Sequence, residues 1–149
     1  MDCYGKRIIK DGMDYSKLLM PEGNPVTGPL YIRGAEPGDV LEIEVQDITV
    51  DSFGSMCVRN GIGAYEITGS HCRQFPIEDD RVIFDQNIQI RLRPMIGVIG
   101  TCPSGEPVST EEPGEHGGNL DIQDLGIGSR IYLPVSVPGG LLSVGDLHG

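Results

Sequence analysis

Two short clusters near the end of the 149-residue sequence carry the side chains best suited to chemistry. The first, residues 113–121, contains an imidazole, His116, and a carboxylate, Asp121. Between them Gly117 and Gly118 allow a sharp fold, because glycine adopts positive φ readily. Nitrogen and oxygen donors that converge on such a corner suit zinc or a similar divalent ion. The simpler interpretation, which the local sequence favours, makes His116 an exposed loop residue and Asp121 the N-cap of a short helical turn.

The second cluster is the segment Asp146-Leu-His148, which follows an apolar run that begins at Leu142. If this run is a strand, Asp146 and His148 project from the same face, because residues two apart do so. A frayed polar terminus is the alternative, but the apolar run is not typical of the end of a domain. We therefore expect Asp146 and His148 on one side of a strand, with His116 or Asp121 close enough to share an ion or a bridging water.

Nucleophilic catalysis has less support in the sequence. No Gly-x-Ser-x-Gly elbow occurs, and a cysteine nucleophile would have to be Cys102, paired in space with His116. The cysteines are widely spaced and form no Cys-x-x-Cys pair, so we expect reduced, partly buried thiols. They are Cys3, Cys57, Cys72 and Cys102.

Short strands must position both clusters. The 22 glycines and 11 prolines punctuate short apolar runs, a pattern typical of many strands joined by turns. Pro37 and Gly38 predict a turn between the first two strands. The predicted strands are Pro29–Ile32, a run that begins at Val40, Ile88–Leu92, Met95–Ile99, Ile131–Val137 and the run from Leu142.

The apolar phase of the second predicted strand slips by one residue near Gln46 and Asp47, which predicts a β-bulge or bend there. Only Asp14–Met20 and Asp121–Leu125 have the pattern of a helical turn or two. The sequence therefore predicts a mainly β fold, β-sandwich-like, with curved, bulged sheets and few short helices.

Composition narrows the class of partner. The 22 acidic residues against 11 basic ones give a net charge of −11, which repels phosphate backbones and anionic lipids. We expect no nucleic-acid and no membrane partner. No apolar leader and no run of 18 apolar residues is present, so a cytoplasmic location is expected by default. The length favours a single domain over residues 1–149.

Seven stretches, in order along the whole sequence, resemble the acetamidase/formamidase family. Each alone is weak, but seven in register make a specific match. They are Asp2-Cys-Tyr-Gly5, Asn24-Pro-Val-Thr-Gly-Pro29, Gly34-Ala-Glu-Pro-Gly-Asp39, Pro94-Met-Ile-Gly-Val-Ile-Gly100, His116-Gly-Gly-Asn-Leu-Asp121, Tyr132-Leu-Pro-Val135 and Gly145-Asp-Leu-His148.

The resemblance implies hydrolysis of the carbon–nitrogen bond of short linear amides such as formamide and acetamide, with release of ammonia. It implies a chain incomplete at both ends, with α/β elements only in the missing later part. A fragment of this kind is expected to be weakly active or inactive. The unpaired edge of such a fragment also predicts a homodimer or higher homo-oligomer.

Carried onto this sequence, the resemblance implies a divalent metal, zinc first and calcium second, with four candidate ligands: His116, Asp121, Asp146 and His148. It makes Asp146 a candidate general base, although a glutamate of a missing Gly-Asp-Gly-Glu segment fits that role at least as well. Asn119 is expected to hydrogen-bond the small amide substrate or to orient a ligand. The backbone N–H groups of Gly117 and Gly118 are candidate oxyanion donors.

Two other functions stay open at this stage. The first is a β-rich binding or assembly module without catalysis, which would bring no metal ligands together. The second is a hydrolase of a different amide, such as a cyclic lactam.

Overall fold

The structure, a computed structural model, describes residues 24–58, 61, 63–69 and 71–149. In these ranges the chain forms strands and no helix, and every strand pair is antiparallel. The prediction of a mainly β fold is therefore confirmed. The strands are β1 (Val26–Leu30), β2 (Val40–Glu44), β3 (Phe53–Val58), β4 (His71–Glu78), β5 (Arg81–Ile83), β6 (Gln89–Arg91), β7 (Met95–Gly100), β8 (Pro113–Gly114), β9 (Gly117–Asn119), β10 (Arg130–Pro134) and β11 (Leu142–His148).

The chain divides into two compact units. In the described part, the first unit comprises residues 24–48 and Arg93–Gly149, and the second comprises Thr49–Leu92. Both predicted clusters lie in the first unit. The single domain expected from the chain length stays a prediction.

A five-stranded sheet in the order β1-β11-β7-β9-β8 is the frame of the first unit. Its middle strand, β7, is buried at every position, as expected for a continuous apolar run that is covered on both faces. β11 pairs with β7 so that Gly145 lies opposite Val98 and Leu147 lies opposite Ile96. This register sets Asp146 beside Gly97.

The second sheet of this unit consists of β2 and β10. The predicted turn precedes β2: the amide of Asp39 donates to the carbonyl of Glu36 at 3.0 Å, and Gly38 has φ 99°. Inward side chains of both sheets form one core, which is the layered packing expected of a sandwich. The buried members of that core are Val45, Ile96, Ile99, Leu125, Leu133 and Leu142.

Of the bulge or bend predicted near Gln46 and Asp47, the bulge does not form, because β2 ends before these residues. β2 ends at Glu44, and only Val45 continues the pairing, through hydrogen bonds with Ser129 and Gly128. The slip in apolar phase marks the place where the chain leaves the sheet. The first of the two segments that form the first unit ends shortly afterwards, at Ile48. A register irregularity does occur in β1, between Thr27 and Leu30.

The predicted helical turns are corrected in part. Asp14–Met20 lies outside the described residues. Asp121–Leu125 forms no helix but one turn, closed by a hydrogen bond from the amide of Leu125 to the carbonyl of Ile122 at 2.9 Å. Nowhere in the described ranges is there a helix long and apolar enough to span a membrane.

The second unit is a four-stranded sheet in the order β3-β4-β5-β6. Cys57 and Cys72 face each other across β3 and β4 and form a disulfide. The expectation of reduced thiols is therefore wrong for this pair, because hairpin pairing brings together two cysteines that are far apart in sequence. The predicted half-buried strand around β6 is also corrected: Ile88 and Ile90 are exposed, and only Leu92 is buried.

Ile99 is the side chain most fully enclosed by the core of the first unit, with 0% exposure. Ile99→Ala should lower the free energy of unfolding by about 2–5 kcal/mol, because it removes buried methylenes and leaves a cavity. Ile127→Ala is the matched control, since Ile127 is 58% exposed, and its effect should stay within about 0.5 kcal/mol. Urea denaturation gives both values, and equal losses would contradict the core described above.

Candidate metal centre

The end of β11 brings two candidate ligands together. Nε2 of His148 lies 3.1 Å from Oδ2 of Asp146, within hydrogen-bonding distance. The side chain of Asp146 is 16% exposed, whereas that of His148 is 50% exposed. The two side chains therefore share one side of the strand, as their spacing predicts, with the carboxylate on the inside.

Asp121 reaches the same place from the segment that follows β9. The backbone amides of Leu120 and Asp121 both donate to the carbonyl oxygen of Gly97, at 2.9 and 3.2 Å. This shared acceptor holds the segment against β7 and places Oδ1 of Asp121 3.4 Å from Nε2 of His148. One donor atom from each of Asp121, Asp146 and His148 lies within 4.8 Å of the other two.

Gly97 is the floor of this cluster, a role that the sequence analysis did not predict. A Cβ at Gly97 would lie 2.5 Å from the carbonyl oxygen of Asp146, 2.9 Å from Oδ1 of Asp121 and 2.9 Å from Cδ2 of His148. Any side chain at this position would push the three ligands apart. A glycine inside an otherwise apolar strand is the signal that marks such a close approach.

Two of the ligands have an uncommon backbone conformation. Asp121 has φ 46° and Asp146 has φ 50°, in the left-handed region that L-residues enter at an energetic cost. Strained residues of this kind cluster at functional sites, where the surrounding structure holds them in place. Asparagine tolerates the same region, so Asp→Asn changes remove the charge and leave the backbone conformation accessible.

The hydrogen bond that the protonated His148 ring donates to Asp146 raises the pKa of His148 above its ordinary value of 6.5, and the charges of Asp146 and Asp121 add to this effect. Partial burial opposes it by disfavouring the charged ring. In the metal-free protein the pair therefore stabilises the fold most below pH 6.5, and this contribution is lost as the pH rises through the raised pKa. A metal requires the neutral ring, so metal affinity should fall as the pH drops through the same pKa.

His116 is not part of this cluster. Its ring carbon Cδ2 lies 3.3 Å from the position of a Cβ on Gly100. Gly97 and Gly100 are three residues apart on β7, so their Cβ directions point to opposite faces of the sheet. The structure therefore separates His116 from the other three candidate ligands, and the joint site expected from the sequence holds through Asp121 alone.

The remaining candidates lie on β9. Gly117 and Gly118 have φ 97° and 92° but lie in strand β9, so they do not form the hinge predicted to bring His116 and Asp121 to one spot. Gly118 lies beside the ring of His116. Oδ1 of Asn119 is buried without a hydrogen-bond partner, and its Nδ2 donates to the carbonyl of Glu111 at 3.4 Å. The catalytic roles of Asn119, Gly117 and Gly118 stay predictions.

The donor set fits a divalent ion. Two carboxylates and one imidazole provide three protein ligands, the number that catalytic zinc sites use while one position stays open to solvent or substrate. Carboxylate oxygens also suit calcium, although calcium takes six to eight oxygen ligands. The exposure of His148 and Asp121 leaves the centre accessible from solvent.

Comparison with known proteins identifies the family of the chain. The profile of the Acetamidase/Formamidase family matches residues 1–112 and 105–149. The chain belongs to this family. An acetamidase of Bacillus halodurans has a crystal structure with a TM-score of 0.92 and 45% identity, over 99% of this chain and 50% of that one.

Two further relatives carry the same family names. An acetamidase of Mycolicibacterium smegmatis is 41% identical over 83% of this chain and 46% of its own length. A formamidase of Methylophilus methylotrophus is 28% identical over 99% of this chain and 51% of its own length. The chain therefore spans about half the length of the relatives it matches.

Gly97→Ala tests the floor of the cluster. Because the nearest atom is a backbone oxygen, the new methyl group should lower the free energy of unfolding by about 1–3 kcal/mol and weaken metal binding. Gly54→Ala is the control: Gly54 also lies in a strand, and a Cβ there meets only Cδ1 of Ile77 at 3.7 Å. Calorimetric titration with Zn²⁺ measures the effect, and unchanged affinity in Gly97→Ala would contradict the proposed packing.

The cause of the raised pKa of His148 has its own test. In metal-free buffer, Asp146→Asn should lower the pKa of His148 more than Asp121→Asn does, because Asp146 contributes a hydrogen bond as well as charge. NMR titration of the His148 ring protons measures both shifts. A larger drop in Asp121→Asn would show that the ring is held by the other carboxylate.

Proposed function

We propose that this chain forms the metal-binding part of an amide hydrolase that cleaves the carbon–nitrogen bond of short linear amides, such as formamide and acetamide, and releases ammonia. The observation that carries the proposal is the convergence of Asp121, Asp146 and His148 over Gly97. Membership of the acetamidase/formamidase family supports the reaction class. Zinc is the preferred ion and calcium the second candidate.

The ion and the side chains have different roles in the proposed reaction. A divalent ion bound there supplies a Lewis acid that polarises the amide carbonyl and makes water more acidic. Asp146 is the least exposed ligand, and its contact with Nε2 of His148 fixes the orientation of both side chains. A carboxylate held in this way can take a proton from water and pass it to the leaving nitrogen.

A homo-oligomeric state and a cytoplasmic location belong to the same proposal and rest on the sequence alone. The disulfide between Cys57 and Cys72 argues against the cytoplasmic location, because such bonds persist mainly in oxidising compartments. Peptide mapping under non-reducing conditions, from protein isolated in the presence of a thiol-blocking reagent, tests the location through this bond.

Metal binding is the first test of the proposal. Asp146→Asn and His148→Asn should each reduce Zn²⁺ affinity by more than the roughly 10- to 100-fold that the loss of a second-shell partner causes. Asp124→Asn is the matched control, because Asp124 is an acidic residue of the same unit with a 91% exposed side chain. Calorimetry with Zn²⁺ and with Ca²⁺ on the metal-stripped chain measures all four proteins. Similar affinities for all of them would remove the basis of the proposal.

Turnover is the second test. Ammonia release from formamide and acetamide by this chain should be about 10²- to 10⁴-fold below that of the acetamidase of Bacillus halodurans, the cost of one further acid–base group, besides Asp146, in the half of that enzyme that this chain does not match. The chain covers only 50% of that enzyme. A cyclic lactam, 2-pyrrolidinone, serves as the comparison substrate. Equal turnover by the two proteins would show that the residues of this chain suffice.

A further inference from the structure

A cavity lies in the first unit, beside the loop that joins β7 to β8. Its volume is about 340 Å³, within the range of pockets that hold small ligands. The loop forms one wall, from Thr101 to Thr110, and the other walls come from β7, β11 and the neighbourhood of β1. Long loops without secondary structure often carry binding functions.

This cavity and the metal centre lie on opposite faces of β7. His116 lines the cavity, and its ring occupies the space beside Gly100 and Gly118, where a Cβ would lie 3.3 and 3.1 Å from ring atoms. The metal ligands crowd Gly97 on the other face. The cavity is therefore separate from the cluster at Gly97, and His116 of the first sequence cluster belongs to its wall.

The lining sets the chemistry of the ligand. Most of the wall is apolar, with Val26, Val98, Pro107 and Leu141 among its members. The side chains on it that can hydrogen-bond are those of Thr101, Cys102, Glu106, Ser109, Thr110, His116 and Ser143. Glu106 is the one lining residue with a carboxylate side chain, and it is exposed, so the cavity offers an anion no counter-charge and a cation only a solvent-screened one.

Backbone strain accompanies this wall. Leu141 has φ 50° and follows Gly139 and Gly140, which have φ 78° and 62°. A bulky residue in the left-handed region is a genuine outlier, and it persists only where the surroundings hold it. One such contact is the hydrogen bond from the amide of Cys102 to the carbonyl of Gly140 at 2.9 Å, which ties the strained turn to the loop wall.

We propose that this cavity binds a small uncharged molecule with an apolar body and one hydroxyl or carbonyl group, which hydrogen-bonds to His116. The apolar walls enclose the body of the ligand, and the polar groups fix its orientation. This inference does not depend on the proposed amide hydrolysis, because the two sites share no side chain and lie on different faces of the sheet.

Cys102 provides a built-in reporter, because its thiol is free and partly exposed on the cavity wall. Methyl methanethiosulfonate transfers its methylthio group to the Cys102 sulfur: a new S–S bond forms, the S–S bond of the reagent breaks, methanesulfinate leaves and the thiol proton goes to solvent. The rate is followed by mass spectrometry of the peptide that contains Cys102. Benzyl alcohol is the uncharged probe, and benzoate is its anionic counterpart of similar size.

Benzyl alcohol should slow the modification of Cys102 about tenfold once nine-tenths of the cavity is filled, by simple mass action, and benzoate should not. His116→Ala should weaken the protection about three- to tenfold, the effect of one lost hydrogen bond. His71→Ala, in the second unit, is the matched control and should leave the protection unchanged. The metal-site variant Asp146→Asn should also leave it unchanged, whatever its effect on metal binding.

Val108→Trp is a second variant. Val108 lines the cavity but is 49% exposed, so the substitution does not disturb a buried residue. The indole should occlude the cavity and abolish protection, whereas Val50→Trp, at a residue 39% exposed in the second unit, should not. Failure of benzyl alcohol to protect Cys102 up to its solubility limit would overturn the proposal. Equal protection by benzoate would overturn the uncharged class of ligand.

Discussion

The close approach of three chain segments at Gly97 is the constraint on which the metal centre depends. β7 presents a carbonyl oxygen to the amides of Leu120 and Asp121 and, by lacking a side chain at Gly97, admits the backbone of Asp146. Neither contact alone would define a site. Together they bring one ligand from a turn and two from a strand to the same few ångströms, so the precision of the site comes from the backbone of a buried strand.

The charges of the cluster also favour a divalent cation as its occupant. Two carboxylates that converge on one point repel each other, and the imidazole offsets this only while it carries a proton. Its raised pKa reflects that balance. A divalent cation resolves the repulsion more fully than a proton does, because it interacts with all three groups at once. The geometry and the electrostatics thus favour the same class of occupant, and the strained φ angles of Asp121 and Asp146 fit a site held in place by its surroundings.

The sequence was sufficient for some of these features and insufficient for others. The period of two along a strand predicted that Asp146 and His148 share a face, and the continuous apolar run predicted the buried strand β7. The separation of His116 from the other candidate ligands could not be predicted, because Gly117 and Gly118 belong to a strand whose pairing with β7 is not visible in the local sequence. The disulfide was missed for a related reason: Cys57 and Cys72 meet only through the register of β3 with β4.

The exposure of Ile88 and Ile90 shows the same limit. Alternation identified a strand there, but the covering of one face depends on which other segments lie against it, and a short sequence pattern carries no such information. The role of Gly97 was signalled only as a glycine in an apolar strand. Which atoms occupy the space above it follows from the pairing of β7 with β11 and the return of the chain after β9.

The register of β7 with β11 has a consequence for the order of folding. Ile96 and Leu147 are paired neighbours, although a long stretch of sequence, including β8, β9 and β10, separates them. Contacts of such long range form late, because the entropy of closing the loop must be overcome first. The candidate metal centre therefore depends on the fully paired sheet, and an ion bound there would stabilise that sheet.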